Sequence, residues 1–402
     1  MVLTANAYFY NDRLVTMMIL NSCQRLLNEG VVDGSWSALG VYATILAGRG
    51  GMYSEALAIG EIAFKKSQTS GSPTEKALVA FMVPAFLRVW TQPLRSIIGM
   101  LEENFEYAKE IGATAAAMSS ALIAGSYSIF SGESLDLLDN RIHAFLKYMG
   151  HHNSQALHDS LLSSLLAIST LRGETAAAGR FSTAERSEEE FAERLALSSS
   201  PNPMAWYGLH RMWVDYTLGD YERGLESLEI SRSFLSAVPF AYGVMAHHAY
   251  ATMLLAAVYK KAGWKKLRYR REMKDGLRRL RKLASISSGD FLVMYLMATA
   301  EYDRACGKLD SAADDFVEAI VTARQYNLIH LEALGEELVG KFKRDELGIE
   351  EESRVHFERA YLLYQKWGAR AKLALLKDYA PKEGASDGSS DSSGEYELDR
   401  VA

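Results

Sequence analysis

The sequence predicts an all-α fold built from repeated helix pairs, and three observations lead to this prediction. Apolar residues recur at helical spacing, as at Phe316, Ala319, Ile320 and Ala323. No stretch alternates β-branched with polar residues, and no Asn-Gly or Asp-Gly turn joins two such stretches, so strands are not expected. The 402 residues include 7 prolines and 2 cysteines, which leaves long stretches free of helix breakers and excludes a disulfide-stapled secreted scaffold.

The N-terminal residues contain no basic region followed by an apolar one, so no secretory signal and a cytoplasmic location are expected. Two uncharged stretches, 111–132 and 233–259, exceed the roughly 20 residues that cross a bilayer. The first is rich in Ala, Ser and Gly. The second contains Pro239 and two histidines, although a basic stretch follows it in a positive-inside sense. We therefore expect helices that are buried on most sides within a helical array, rather than membrane spans.

Three inter-helix turns share a spacing of Gly, then an aromatic or Leu two positions on, then a small residue five positions on. They are Gly51, Tyr53 and Ala56; Gly219, Tyr221 and Gly224; and Gly307, Leu309 and Ala312. The glycine suits a left-handed helix end, the large side chain fills the space between helices, and the small residue permits close approach. This spacing predicts a tetratricopeptide-like (TPR-like) α-α superhelix, irregular because the match degenerates over 93–200.

Composition divides the predicted array. Residues 1–173 form a predicted N-terminal TPR-like array, and residues 201–381 a C-terminal one. Between them, 174–200 is a weaker zone with an Ala run, a Glu run and a Ser run, which we interpret as a linker. Residues 382–402 are acidic, rich in Ser and Gly and almost devoid of apolar residues, so a disordered tail is predicted.

The chain resembles the TPR-like region of large multidomain sensor kinases of bacteria and fungi, over residues 8–381. The resemblance is strongest in the closing Trp-Gly-Ala-x-Ala-Lys block, which begins at Trp367 and Gly368. Other stretches that carry it are 90–95, 108–112, 130–133, 220–221, 332–338, 360–364 and 376–381. In that family a kinase-like domain and an AAA-type ATPase precede the helical region, and GAF and histidine-kinase domains often follow. The resemblance implies a sensor or scaffold arm in signalling, either free-standing or part of a longer product.

The catalytic motifs of that family are missing from this sequence. The glycine-rich stretch 48–51 lacks the lysine and hydroxyl residue of a phosphate-binding loop. Neither His-Arg-Asp nor Asp-Phe-Gly occurs. We therefore predict a non-enzymatic protein without a cofactor.

No metal or nucleophile site is predicted. The adjacent histidines at 151–152 and 247–248 point about 100° apart on a helix, and neither His-Glu-x-x-His nor Cys-x-x-Cys occurs. The aspartates at 314–315 are interpreted as a solvated helix face. Cys23 and Cys306 lie among apolar residues and are interpreted as buried, unreactive thiols.

The strongest charge feature is the segment 260–282, which has a net charge of +10 in a chain of net charge −6. Its Met273, Leu277, Leu280 and Ala284 recur at helical spacing and predict a basic amphipathic helix. The candidate partner-binding residues are its twelve cations: Lys260, Lys261, Lys265, Lys266, Arg268, Arg270, Arg271, Lys274, Arg278, Arg279, Arg281 and Lys282.

Several partners fit a basic helix of this kind. An acidic protein or peptide is favoured, and the acidic tail 382–402 is a candidate in cis. An anionic membrane surface and nucleic acid are alternatives, the latter without a recognised binding module. A solvated outer helix is the structural alternative. A groove between the two arrays, lined by tyrosines, is a further candidate site for a small molecule or peptide. The tryptophans at 36, 90, 206, 213, 264 and 367 are interpreted as packing anchors.

Overall fold

A computed structural model of the chain describes residues 12–152, 154–238, 242–286 and 289–380. Within these residues the chain is helical and contains no strand. The predicted disordered tail, 382–402, lies outside the described residues, as does Pro239.

The described residues form eighteen α-helices, numbered here in chain order. They are α1 (Asp12–Glu29), α2 (Ser35–Gly50), α3 (Tyr53–Ser70), α4 (Pro73–Phe86), α5 (Leu94–Glu110), α6 (Thr114–Ser128), α7 (Leu135–Gly150), α8 (Gln155–Arg172), α9 (Glu188–Ala196), α10 (Asn202–Leu218), α11 (Tyr221–Phe234), α12 (Gly243–Val258), α13 (Lys266–Ala284), α14 (Asp290–Ala305), α15 (Leu309–Gln325), α16 (Ile329–Phe342), α17 (Glu350–Trp367) and α18 (Arg370–Leu375).

The helices form two layers, as the TPR-like spacing predicts. From α2 to α16, each even-numbered helix contacts the next even-numbered one and forms an inner layer. The odd-numbered helices α3, α5, α7, α11, α13, α15 and α17 cover it from outside. The predicted all-α, TPR-like superhelix is therefore confirmed.

Inner helices are buried on nearly every side. In α6, eleven of the residues from Ala116 to Ser128 are buried. In α12, most residues from Met245 to Ala256 are buried. The helical parts of the two uncharged stretches, α6 and α12, therefore lie in the core of the helical array, as expected. No helix in the described part of the chain is both long and apolar enough to cross a bilayer.

The three glycine turns have left-handed glycines, with φ of 61° at Gly51, 79° at Gly219 and 80° at Gly307. The small residues five positions on are buried, and at Gly224 a Cβ atom would come within 2.9 Å of Leu254. This close approach explains the small residue in the first turn of the second helix.

The superhelix closes on itself through contacts between distant parts of the chain. The rings of Trp90 and Phe291 stack at 5.7 Å. The amide of Leu94, the first residue of α5, donates to the carboxylate of Asp290, the first residue of α14, at 3.2 Å. The N-terminal and C-terminal halves therefore meet at their inner faces.

Aromatic side chains fill the centre of this closed ring. Phe130 contacts Trp213 at 5.6 Å and Tyr242 at 5.7 Å, and Tyr242 contacts Phe291 at 4.9 Å. Trp367 completes the cluster against Trp213. These rings are buried and join helices from both halves of the chain in one aromatic cluster.

The Trp-Gly-Ala-x-Ala-Lys block forms the second closure. The indole of Trp367 donates to the carbonyl of Glu133 at 3.0 Å. The buried ammonium of Lys372 donates to the carbonyl of Thr217 at 2.6 Å and to the carboxylate of Glu337 at 2.8 Å. These contacts fasten the end of α17 to the turn before α7, and α18 to α10 and α16.

The segment 174–200 contains α9 and is packed against the array. Phe181 and Phe191 are buried and contact the ring of Tyr207. One hydrophobic core extends from Ala77 to Leu376 across this segment, and a smaller one joins α2, α3 and α4. The division into two arrays stays a prediction.

Candidate functional site

The basic segment 260–282 forms the corner between α12 and α13 and then α13 itself. Two 3-10 turns, Tyr259–Lys261 and Gly263–Lys265, lead into the helix. Gly263 has φ of 53°, in the left-handed region that glycine adopts readily. All twelve lysines and arginines are exposed.

One face of α13 is anchored in the core. The predicted stripe is buried at Met273 and Leu280 and half-buried at Leu277 and Ala284. Gly276 also belongs to the buried face, because a Cβ atom there would lie 2.6 Å from the hydroxyl of Thr252. The buried face as a whole consists of Tyr269, Met273, Gly276, Leu280 and Leu283. Its packing fixes which cations point outward.

Some cations of this segment have partners within the protein. Three form ion pairs: Lys260 with Glu346 at 2.6 Å, Arg268 with Glu229 at 3.3 Å and Arg278 with Asp275 at 2.9 Å. Lys282 donates to the carbonyl of Gly51 at 2.8 Å. Its ammonium also lies 5.2 Å from the ring of Tyr53. The first and last cations of the segment therefore help to hold it against neighbouring elements.

A row of cations lies opposite the buried face. Arg271, Lys274, Arg278 and Arg281 are spaced by three, four and three residues, which places them in one outward stripe of α13. We call these four residues the basic flank. Within the described part of the chain, Arg271, Lys274 and Arg281 have no ion pair with a carboxylate.

The corner that precedes α13 combines cations with exposed apolar side chains. Trp264 is 86% exposed and Leu267 is 72% exposed. The ammonium of Lys265 lies 5.7 Å from the Trp264 ring, and that of Lys266 lies 5.8 Å from the Tyr259 ring. We call this corner the basic tip: Lys260, Lys261, Trp264, Lys265, Lys266 and Leu267.

The interpretation of the tryptophans as packing anchors is wrong for Trp264. Trp36, Trp90, Trp206, Trp213 and Trp367 are each at most 8% exposed. Trp264 differs because it lies in a 3-10 turn beyond the end of α12, where no inner helix covers it. It is the feature of the basic segment that the sequence reading missed.

Buried serine–histidine pairs occur elsewhere, without access to solvent. Nδ1 of His210 lies 2.8 Å from the hydroxyl of Ser163, and Nδ1 of His247 lies 2.8 Å from that of Ser231. Burial lowers the pKa of His210 and of His247 to about 3. The imidazoles are therefore neutral at pH 7, and both hydroxyls are buried.

The structure also gives the surroundings of the acidic residues and thiols considered in the sequence. No group of three or more His, Cys, Asp or Glu among the described residues is arranged to hold a metal ion. Asp314 is exposed and Asp315 is half-buried, and burial followed by the charge of Asp303 raises the pKa of Asp315 to about 6. Cys23 and Cys306 are free thiols and half-buried rather than buried.

The fold and the site define an all-α, TPR-like helical-repeat protein with a filled interior and a basic outer face. No family model matches the chain, and no curated protein matches it. Among solved structures, the human IFIT1 dimer with m7Gppp-AAAA is similar, with a TM-score of 0.44 and 11% identity. The alignment covers 90% of this chain and 76% of that chain.

Proposed function

We propose that this chain is a non-catalytic helical-repeat scaffold that binds an acidic protein partner through the basic flank, in intracellular signalling. The observation that carries the proposal is the stripe formed by Arg271, Lys274, Arg278 and Arg281. These cations are exposed, are held in register by a buried helix face, and are largely free of ion pairs within the described residues.

The composition of the flank favours carboxylates as its ligands. Three of its four residues are arginines, whose planar guanidinium groups match a carboxylate in a bidentate way. The positive field of the segment stands out in a chain of net charge −6, so it attracts an acidic partner and orients it before contact. The resemblance to the helical arm of sensor kinases supports signalling as the setting.

The interior of the superhelix supports binding at the outer face instead of in a central groove. The rings of Phe130, Trp213 and Tyr242 form a buried cluster between the two halves of the chain. A sensor that binds in that groove would need to open the closed ring. We therefore place the partner on α13.

A fourfold charge reversal tests the proposal. The variant R271E/K274E/R278E/R281E removes four favourable Coulomb contacts of about 0.5 kcal/mol each, so binding should weaken by about 30-fold. The measurement is the fluorescence anisotropy of a labelled glutamate-rich peptide, titrated at several salt concentrations. Pull-down from a native lysate, with the parent protein and with the variant, then identifies the natural partner.

A matched variant separates a defined surface from net charge. K65E/K66E/K147E/K366E reverses the same number of exposed cations on α3, α7 and α17. It should bind the peptide as the parent does. Equal loss in both variants would show that only net charge matters. Tighter binding of an oligonucleotide than of the peptide would replace the proposal with nucleic-acid binding.

A further inference from the structure

We propose that the basic tip docks on an anionic lipid surface, with the side chains of Trp264 and Leu267 inserted between headgroups. This inference goes beyond the proposed protein partner, which occupies a different part of the segment. The tip lies at the corner between α12 and α13, and the flank lies along α13. One scaffold could then hold its partner at a membrane.

Trp264 and Leu267 are displayed by a corner that is itself fixed. The ring of Tyr259 on one side is half-buried, and Tyr269 on the other side is buried in the core. Between them Trp264 and Leu267 are 86% and 72% exposed, three residues apart at the start of α13. Two large apolar side chains held out from a rigid corner gain free energy when a partner removes them from water.

The charge around these two side chains matches an anionic surface. Residues 260–271 contain no Asp or Glu. Lys260 pairs with the largely buried Glu346. Lys261, Lys265 and Lys266 have no carboxylate partner within the described part of the chain. Lysines that surround an exposed tryptophan form the arrangement that binds headgroups, because the indole rests at the interface and the ammonium groups meet lipid phosphates.

An anionic lipid surface fits the basic tip better than single-stranded nucleic acid does. An aliphatic side chain such as Leu267 gains little from stacked bases, and single-stranded nucleic acid is bound by several aromatic platforms. Trp264 is the exposed aromatic residue of the tip, since Tyr259 is half-buried. The four cations of the tip are all lysines, which act as point charges in a diffuse field, whereas arginine forks dominate the flank. The contact should be weak and reversible.

The tryptophan emission of the full chain provides the test. Five of the six tryptophans are buried, so the fraction of emission that acrylamide quenches reports on Trp264. Vesicles of phosphatidylcholine with roughly 30% phosphatidylserine should protect this fraction, and lipids brominated on their acyl chains should quench it. Pure phosphatidylcholine vesicles should do neither.

Variants assign the effect to the tip. W264S/L267S should sediment with the phosphatidylserine vesicles at least tenfold more weakly, because the inserted apolar area is lost, a change of about 1.4 kcal/mol. L197S is the matched control, since Leu197 is 88% exposed on another helix end. It should sediment as the parent does. Sedimentation of W264S/L267S at the parent level, or unchanged acrylamide quenching on vesicles, would overturn the inference.

The flank variant and the tip variant test the two proposals independently of each other. The flank variant R271E/K274E/R278E/R281E should lose the glutamate-rich peptide but keep bromolipid quenching of Trp264 at saturating lipid. The tip variant W264S/L267S should keep the peptide and lose the vesicles. If a single-stranded oligonucleotide protects Trp264 while vesicles do not, the tip is a nucleic-acid site and the lipid inference is wrong.

Discussion

At the scale of single residues, buried histidines determine how the stability of the folded chain depends on pH. Burial lowers the pKa of His210, His247 and His330 to about 3, and that of His248 to about 4. The unfolded chain, whose histidines titrate near 6.5, binds more protons than the folded chain below that pH. Asp290 and Asp315 act in the opposite direction, because burial raises the pKa of each to about 6 and the folded state then binds the extra proton.

The four histidines outnumber these two aspartates, so the free energy of unfolding should fall as the pH falls below 6.5. Each histidine contributes about 1.4 kcal/mol per pH unit between its unfolded and folded pKa values. We expect a net loss on the order of 5 kcal/mol between about pH 7 and pH 5. Urea denaturation followed by circular dichroism across this range measures it. A flat profile would contradict the prediction.

A pair of variants isolates one histidine. H247Q should reduce the slope of stability against pH by about one proton, because the titrating group is gone. S231A removes the hydroxyl that lies 2.8 Å from Nδ1 of His247 and leaves the imidazole in place. It should lower stability at every pH and keep the parent slope.

At the scale of helices, packing distance depends on whether a glycine faces another backbone. On α10, a Cβ atom at Gly208 would lie 2.7 Å from the amide nitrogen of Ser231 on α11. On α5, a Cβ atom at Gly99 would meet nothing within 4 Å. Both glycines are within helices, so only their surroundings differ.

The two alanine variants should therefore change stability in opposite directions. G208A forces α10 and α11 apart and should cost about 2–3 kcal/mol. G99A should stabilise by about 0.5–1 kcal/mol, since alanine favours the helix and restricts the unfolded chain. Thermal unfolding of both variants beside the parent measures the difference. Destabilisation of both variants to the same extent would show that the contact at Gly208 is not the cause.

Much of the architecture at this scale could be predicted from the sequence, whereas the exposure of Trp264 in the basic tip was not predicted. Outer helices have polar faces that show helical spacing, and inner helices appear as uncharged stretches because they are buried all round. Trp264 was misjudged because helical spacing was extended into a 3-10 turn. The signal was present: residues 268 and 271, four and seven positions after Trp264, are arginines instead of core residues.

The closure of the whole molecule was beyond sequence reasoning, because it joins residues about 200 positions apart. The second closure contains a buried network of charged side chains, and the burial of these charges costs free energy. Glu337 accepts from Lys372 at 2.8 Å, from Lys341 at 2.8 Å and from the hydroxyl of Tyr364 at 2.8 Å. Burial opposes its ionisation, but the two lysines outweigh this and lower the pKa of Glu337 to about 2.

Replacing Glu337, the single anion of the network, should destabilise the folded chain more than replacing one of its two lysines. E337Q leaves Lys341 and the buried Lys372 without a counter-charge and should destabilise by about 3–5 kcal/mol. K372M keeps the volume and leaves Glu337 paired with Lys341, so it should cost about 1–2 kcal/mol. Chemical denaturation at neutral pH compares them. The reverse order would show that the Lys372 contact to Thr217 is the dominant one.

The closed ring also constrains how the chain is made. The amide of Leu94 finds its acceptor 196 residues later. At about 5–20 residues per second, a ribosome needs about 10–40 s to deliver that acceptor. During this interval the inner surfaces of the first helix pairs, Trp90 among them, face water without their final cover. A growing chain in that state exposes apolar surface and is prone to aggregate until its second half has emerged.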